Sequence, residues 1–262
     1  MSARVHPTAI VEEGAVLGED VIIGAYAVVG AGVVLESKVH VGAHAVVNGR
    51  THIGSGTLLH PHVVLGGAPQ ISATVEHGTL RIGNDNIFRE FTTVNVGSSE
   101  GRGETTIGDG CLFMANSHVA HDCVVGDRVV FTNSVAVAGH VTIGDGATLG
   151  GLCAVHQHTR IGRLAMVGGG AMCAQDVPPF TIAQGDRARL YGINIMGLRK
   201  DGLETSTVSS LKNAWRTLFA SDLPRRDAMR RVRERYGDTP EVVELLAFMT
   251  STRRGLCRAG TR

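Results

Sequence analysis

Aliphatic residues recur at every sixth position along most of this chain. One series runs without a break from Val5 through Val11, Leu17 and Ile23 to Leu65, and a second from Ile107 through Phe113, Val119 and Val125 to Val167. Val, Ile, Leu and Phe make up 71 of the 262 residues, so chance would fill about six of these 22 positions rather than all of them. Four residues after most anchors stands a small or β-branched residue, as at Ala27, Val33, Ala45, Cys111, Ser117 and Cys123. In a strand, residues two apart face the same side, so each small residue points inward two places before the next large anchor. No helix has a six-residue period. The pattern therefore predicts a parallel β-helix of very short strands, a β-solenoid in which each coil touches only its neighbours. Gly often follows the anchor, as at Gly24, Gly30, Gly108 and Gly144, and is expected to permit tight corners.

The register breaks twice, between Leu65 and Ile82 and between Val94 and Ile107. These intervals are not multiples of six, so loops are expected near 66–80 and 97–105, where binding residues tend to sit. Past about residue 186 the hexads stop. Val208, Leu211, Trp215, Leu218 and Phe219 follow helical spacing, and Val242, Val243, Leu245, Leu246, Phe248 and Met249 form a second apolar face. The division expected is a hexapeptide-repeat unit over 1–185 and a helical unit over 186–262 covering the open end of the coil.

Composition narrows the class. Gly is 35 of 262 residues without a strict period of three, and Pro is only 7, which excludes collagen. No apolar run approaches the length of a transmembrane helix, and the start lacks an apolar signal core, so a cytoplasmic location is expected. The five Cys contain no Cys-x-x-Cys pair; Cys111, Cys123 and Cys153 occupy small inward positions and read as inert core thiols. Residues 1–185 carry 9 basic and 15 acidic side chains, and residues 186–262 carry 16 and 9. A basic C-terminal unit suits an acidic partner as well as it suits a solvated helix face.

In proteins of this repeat type three hexads make one turn of 18 residues. Val119, Val137 and Val155 then stack, and around them lie His118, His121, His140 and His156, with Asp122 beside His121 and Gly139 one coil further on. Histidines distant in sequence become neighbours on one wall. Such a set, with a carboxylate and a bare backbone N–H, suits acid–base chemistry with oxyanion stabilisation. A zinc site is the rival. The γ-type carbonic anhydrases share this fold and bind zinc through histidines, but their pair of His five positions apart is missing here. No zinc requirement is expected. His40, His44, His60, His62 and His158 have no comparable supporting pattern.

The chain resembles the UDP-N-acetylglucosamine acyltransferases that begin lipid A synthesis. The likeness rests on Val5-His-Pro-Thr-Ala-Ile-Val-Glu, His118-Val-Ala-His-Asp-Cys-Val-Val-Gly126, Gly139-His140, Ala154-Val-His-Gln157, Ala174-Gln-Asp-Val-Pro-Pro179, Gly192-Ile-Asn-Ile195 and Arg254-Gly-Leu. It implies a homotrimer of left-handed β-helices with sites between subunits. It implies that His121, oriented by Asp122, is the general base for attack of a sugar 3-hydroxyl on the thioester of an acyl-acyl-carrier protein, and that the Gly139 N–H stabilises the oxyanion. His118, His140, His156 and Gln157 would line the site with Asn194 nearby, and the acyl-chain ruler falls on Gly169. No cofactor beyond the donor's phosphopantetheine, no nucleic acid and no transmembrane segment are implied. The acidic carrier would dock towards the basic C-terminal unit.

The family pattern is not complete. After Gln70 the usual Asp-Leu-Lys-Tyr reads Ile71-Ser-Ala-Thr-Val, without Lys; a usual His-Arg is Asn95-Val96, a usual Glu is Met196 and a usual Arg is Lys200. These positions belong largely to sugar-nucleotide and phosphate recognition, so weaker binding of UDP-N-acetylglucosamine, or a different acceptor such as an amino sugar, is an alternative expectation. A non-catalytic trimeric scaffold is the alternative from another class.

Overall fold

The computed structural model describes residues 2–71 and 78–260. The hexads become strands of two residues, such as Ile22–Ile23, Val28–Val29 and Val34–Leu35. Each pairs in parallel with the strand one coil later: Ile22 with His40, Val28 with Val46, Val34 with His52. The chain so winds a three-sided, left-handed parallel β-helix with faces A, B and C of 11, 9 and 8 strands. Anchors and small residues alike are sealed inside; Ile23, Ala27, Val29, Val33 and Leu35 are at most 1 % exposed. The anchors of the first coil differ: Val5 is 44 % exposed and Val11 and Leu17 are half-buried, because among the described residues no coil lies beneath them. Phe88, Phe113 and Phe131 stack through the interior with ring centroids 4.6 Å apart.

The glycines after the anchors do a different job from the one expected. They do not turn the chain but let the next coil approach: a Cβ on Gly24 would stand 2.8 Å from the Ala43 N, and one on Gly108 2.2 Å from a carboxylate oxygen of Asp127. The left-handed residue of each corner stands two places further on, where Tyr26, His44, Asp122 and His140 have φ of 58°, 59°, 60° and 61°.

Two coils are longer than 18 residues. Thr79 pairs with Arg50, 29 positions back, and Glu104 pairs with Thr79, 25 positions back. Both insertions leave from the corner between faces B and C, the corner that carries His121 one coil later.

At the far end Thr181–Gln184 and Arg189–Ile193 form an antiparallel pair that extends face A across residue 186. Helices follow: α1 (Ile195–Lys200), α2 (Thr205–Phe219), α3 (Arg225–Tyr236) and α4 (Pro240–Thr250). Val208 and Leu211 of α2 and Val242, Leu245 and Met249 of α4 pack with Leu164, Phe180 and Ile193 from the last coils, so the helices cover the coil end. The Arg160 guanidinium lies 4.0 Å from the Phe248 ring centre, and Arg163 pairs with Glu244 at 3.0 Å. The tail returns to the coil through bridges between Asp176 and Leu256 and between Leu190 and Ala259. Among the described residues no helix is long and apolar enough to cross a membrane. All five cysteines are free and buried; burial pushes the Cys111 thiol up to about 11 and those of Cys123 and Cys153 to about 12, so they stay protonated.

Candidate active site

The 18-residue winding sorts the corner between faces B and C into columns. His121, Gly139 and Gln157 occupy one position in successive coils, and Asp122, His140 and His158 the next. His118 stands on the adjoining strand of face B, in register with Ala136. Glycine and alanine above the two histidines leave the wall recessed beside them.

His121 and Asp122 are joined by a hydrogen bond of 2.7 Å between Nδ1 and Oδ2. Asp122 is only 1 % exposed. Its carboxylate also receives the Ser98 N–H at 3.1 Å, the Ser98 hydroxyl at 2.7 Å and the Gly103 N–H at 3.1 Å. Burial pushes this carboxyl up, but the hydrogen bonds from His121 and Ser98 outweigh it and hold the group below the ordinary carboxylate value. An ionised carboxylate can only accept, so it fixes the proton of neutral His121 on Nδ1 and leaves the Nε2 lone pair free. Nε2 faces Gly139, where a Cβ would lie 2.7 Å away. The Gly139 N–H makes no hydrogen bond to the described residues, whereas the His140 N–H is spent on the His121 carbonyl at 3.0 Å. A base, its orienting carboxylate and a free amide N–H therefore border one recess.

The other expected residues divide. His140 meets the edge of the His121 ring at 5.0 Å between centroids, and burial lowers its proton affinity. His118 bonds Thr93 Oγ1 through Nδ1 at 2.7 Å and is likewise shifted down by burial. His156 and Gln157 are exposed at the same corner two coils beyond His121. Asn194 has a structural role within the chain. It caps α1 by accepting the Gly197 N–H at 3.0 Å and donates to the Leu164 carbonyl at 2.9 Å. Gly169 lies on another corner, between faces A and B, against Gly151. Within one chain, neither Asn194 nor Gly169 joins the histidine recess.

Some residues were not singled out by the spacing. His158 does have company: its ring stacks on His140 at 4.5 Å, and one further step of 18 from His140 finds it. The two border a cavity of about 580 Å³ that reaches Arg160, Asp176, Arg253 and Arg254. His44 and His62 belong to a ring ladder, Tyr26–His44–His62–Phe91, spaced 5.0–5.1 Å. Asn95, in place of the family's His, is buried and donates to the Ala68 carbonyl at 2.8 Å, while Met196 is 79 % exposed. The missing Lys falls in a segment of which residues 72–77 lie outside the described residues.

His121, Asp122 and His140 offer ligand atoms within 4.8 Å of one another, the closest approach to a metal set among the described residues. Its carboxylate is already saturated by three donor groups besides His121, which suits an imidazole-orienting role better than ligation.

A family profile described as Udp N-acetylglucosamine O-acyltransferase, domain 2, matches residues 176–257, and one for bacterial transferase hexapeptide repeats matches residues 104–139. The acyl-[acyl-carrier-protein]–UDP-N-acetylglucosamine O-acyltransferase of Aquifex aeolicus is 57 % identical over 97 % of this chain and 98 % of its own. That of Trichlorobacter lovleyi is 52 % identical over 97 % and 99 %. The solved UDP-N-acetylglucosamine acyltransferase from Campylobacter jejuni, 33 % identical, superposes with a TM-score of 0.92 over 98 % of this chain and 100 % of its own. A recess built from His121, Asp122 and Gly139 on a hexapeptide coil thus sits in a chain similar from end to end to these enzymes, and the chain belongs to the UDP-N-acetylglucosamine O-acyltransferase family.

Proposed function

We propose that this protein transfers a fatty acyl group from acyl-acyl-carrier protein to the 3-hydroxyl of UDP-N-acetylglucosamine, the first step of lipid A synthesis. The observation that carries the reading is the His121–Asp122 pair set against Gly139, whose N–H is unspent. The similarity over the full chain favours this acceptor over the alternatives. His121 Nε2 takes the hydroxyl proton as the oxygen attacks the thioester carbonyl. The Gly139 N–H stabilises the oxyanion of the tetrahedral intermediate. The C–S bond then breaks, and the imidazolium returns its proton to the departing pantetheine thiolate. Asp122 stays ionised and stabilises the imidazolium. His118, His140, His156 and Gln157 border the acceptor and the acyl chain. The step is redox-neutral and its electrophile is already a thioester, so the only prosthetic group it draws on is the donor's phosphopantetheine.

Within a single chain, Gly169 and Asn194 stand away from the His121–Gly139 corner. A homotrimer whose sites lie between subunits brings the opposing wall, and the reading places the enzyme in the cytoplasm with its carrier-protein donor. The test is acyl transfer from an acyl-carrier thioester to UDP-N-acetylglucosamine by the parent and by His121→Ala, with light scattering to count subunits. We expect a trimer, loss of about 10²–10⁴-fold in turnover for the variant, and unchanged turnover after chelation. A parent inactive on this acceptor would overturn the substrate assignment; a variant with parental turnover would overturn the base. Turnover lost on chelation and restored by zinc would return the site to metal chemistry.

A further inference from the structure

The insertion between Asn95 and Glu104 has no place in the hexad pattern, yet it is packed rather than loose at its ends. Gly97 exchanges backbone hydrogen bonds with Gly78 and Thr79 at 2.7 and 3.0 Å. Ser98 is 1 % exposed. From there the segment passes over Asp122 and returns through Gly103. Gly101 leaves the carboxylate its room, since a Cβ there would stand 2.4 Å from the Asp122 carboxyl carbon. On the other side, the Asp122 N–H donates to Thr105 Oγ1 at 2.8 Å.

Three of the four donor groups on this carboxylate thus come from the insertion, two of them belonging to Ser98. A buried carboxylate short of donors would rise in proton affinity and turn freely. Protonated, it would no longer require a proton on His121 Nδ1, and Nε2 would lose its fixed role. We infer that Ser98 is a positioning residue for acyl transfer: its hydroxyl holds Asp122 ionised and aimed, and so keeps His121 Nε2 directed at the recess beside Gly139. This rests on the reading of His121 as the base. The titratable groups facing Asp122 are His121, which donates a hydrogen bond to it, His140, which favours its ionised form, and Cys123, which is held neutral by burial. Apart from His121, the Ser98 hydroxyl makes the shortest hydrogen bond to the carboxylate, at 2.7 Å.

The experiment uses the full-length protein with Ser98→Ala, Ser98→Cys and Ser98→Thr. Cysteine keeps the volume but donates weakly, whereas threonine keeps the hydroxyl. Circular dichroism melting verifies that each variant is folded. Ser98→Ala and Ser98→Cys are expected to lower kcat about tenfold, with little change in acceptor KM. The acid limb of kcat/KM should move to higher pH in both, because Asp122 loses the donor that keeps it ionised. Ser98→Thr should recover both quantities. A direct readout is the low-field proton resonance of the His121 Nδ1–H, which should shift in the Ala and Cys variants. Parental kcat in Ser98→Ala, or a fall in kcat with the acid limb unmoved, would overturn the role. His121→Ala separates the two failures. If it is inactive while Ser98→Ala equals the parent, only the Ser98 assignment falls; if it is active, the base assignment falls.

Discussion

Gly139 shows how much of this site depends on single atoms. Its place needs no unusual φ, so nothing in its backbone demands glycine. What demands it is the His121 ring, whose Nε2 and Cε1 lie 2.7 and 2.8 Å from where a Cβ would be. Gly139→Ala should therefore fold and melt like the parent while the ring is displaced and the recess filled. Turnover is expected to fall by about 10²-fold or more, and thermal melting alongside steady-state kinetics checks both halves. The pair His121–Asp122 was legible because its members are adjacent in the chain, and Gly139 because it lies 18 residues on. Ser98 was not legible: it enters through an insertion without a period, and no spacing rule says that its hydroxyl will meet Asp122. Asn194 shows what a matched motif leaves unread, since its side chain also holds the start of α1.

At the scale of elements, a two-residue strand has no stability of its own. It exists because an anchor and a small residue are buried from it and because its backbone groups are taken up by the coils on either side. The phenylalanine column concentrates this dependence, with Phe113 held between Phe88 and Phe131 and fully buried. Phe113→Ala is expected to cost about 3–5 kcal/mol, read from chemical denaturation, because the rigid coils on both sides cannot close over the space. The hexads made the strands and the three faces readable, since one anchor per side is a sequence property. They misassigned the corners. The left-handed corner position holds Tyr26, His44, Asp122 or Leu152 as well as Gly56, Gly110 and Gly146, so no single residue type marks it, whereas the glycines directly after the anchors record close approach between coils. The two insertions were visible as broken register, but that both leave from the corner that carries His121 follows only from the strand pairing.

For the whole molecule, charge and shape divide the labour. The coil is acidic, and the helices that cover its end carry a basic surface, with Arg225, Arg226, Arg230 and Arg233 bordering a groove of about 950 Å³ between α3 and the end of α4. If an acidic carrier protein docks there, Arg226→Glu with Arg233→Glu should raise KM for the carrier-bound donor about tenfold at low salt and less at high salt. A thioester on free pantetheine should be used as before. Steady-state kinetics with both donors across ionic strength measures this. The charge division was legible from counting, whereas contacts between copies of the chain leave no mark in the spacing of one chain. The in-register winding also has a consequence for how such a chain can change over generations. Eighteen residues are one lap, so a duplicated stretch of that length, such as 129–146, would lengthen the tube by one storey of about 4.8 Å and turn no side chain from inside to outside. A duplicated hexad would equally spare the interior, but it would swing everything beyond it by a third of a lap. The helices would then stand over a different side of the tube from His121. Inheritance can lengthen this molecule in only one step size without moving its two ends out of phase.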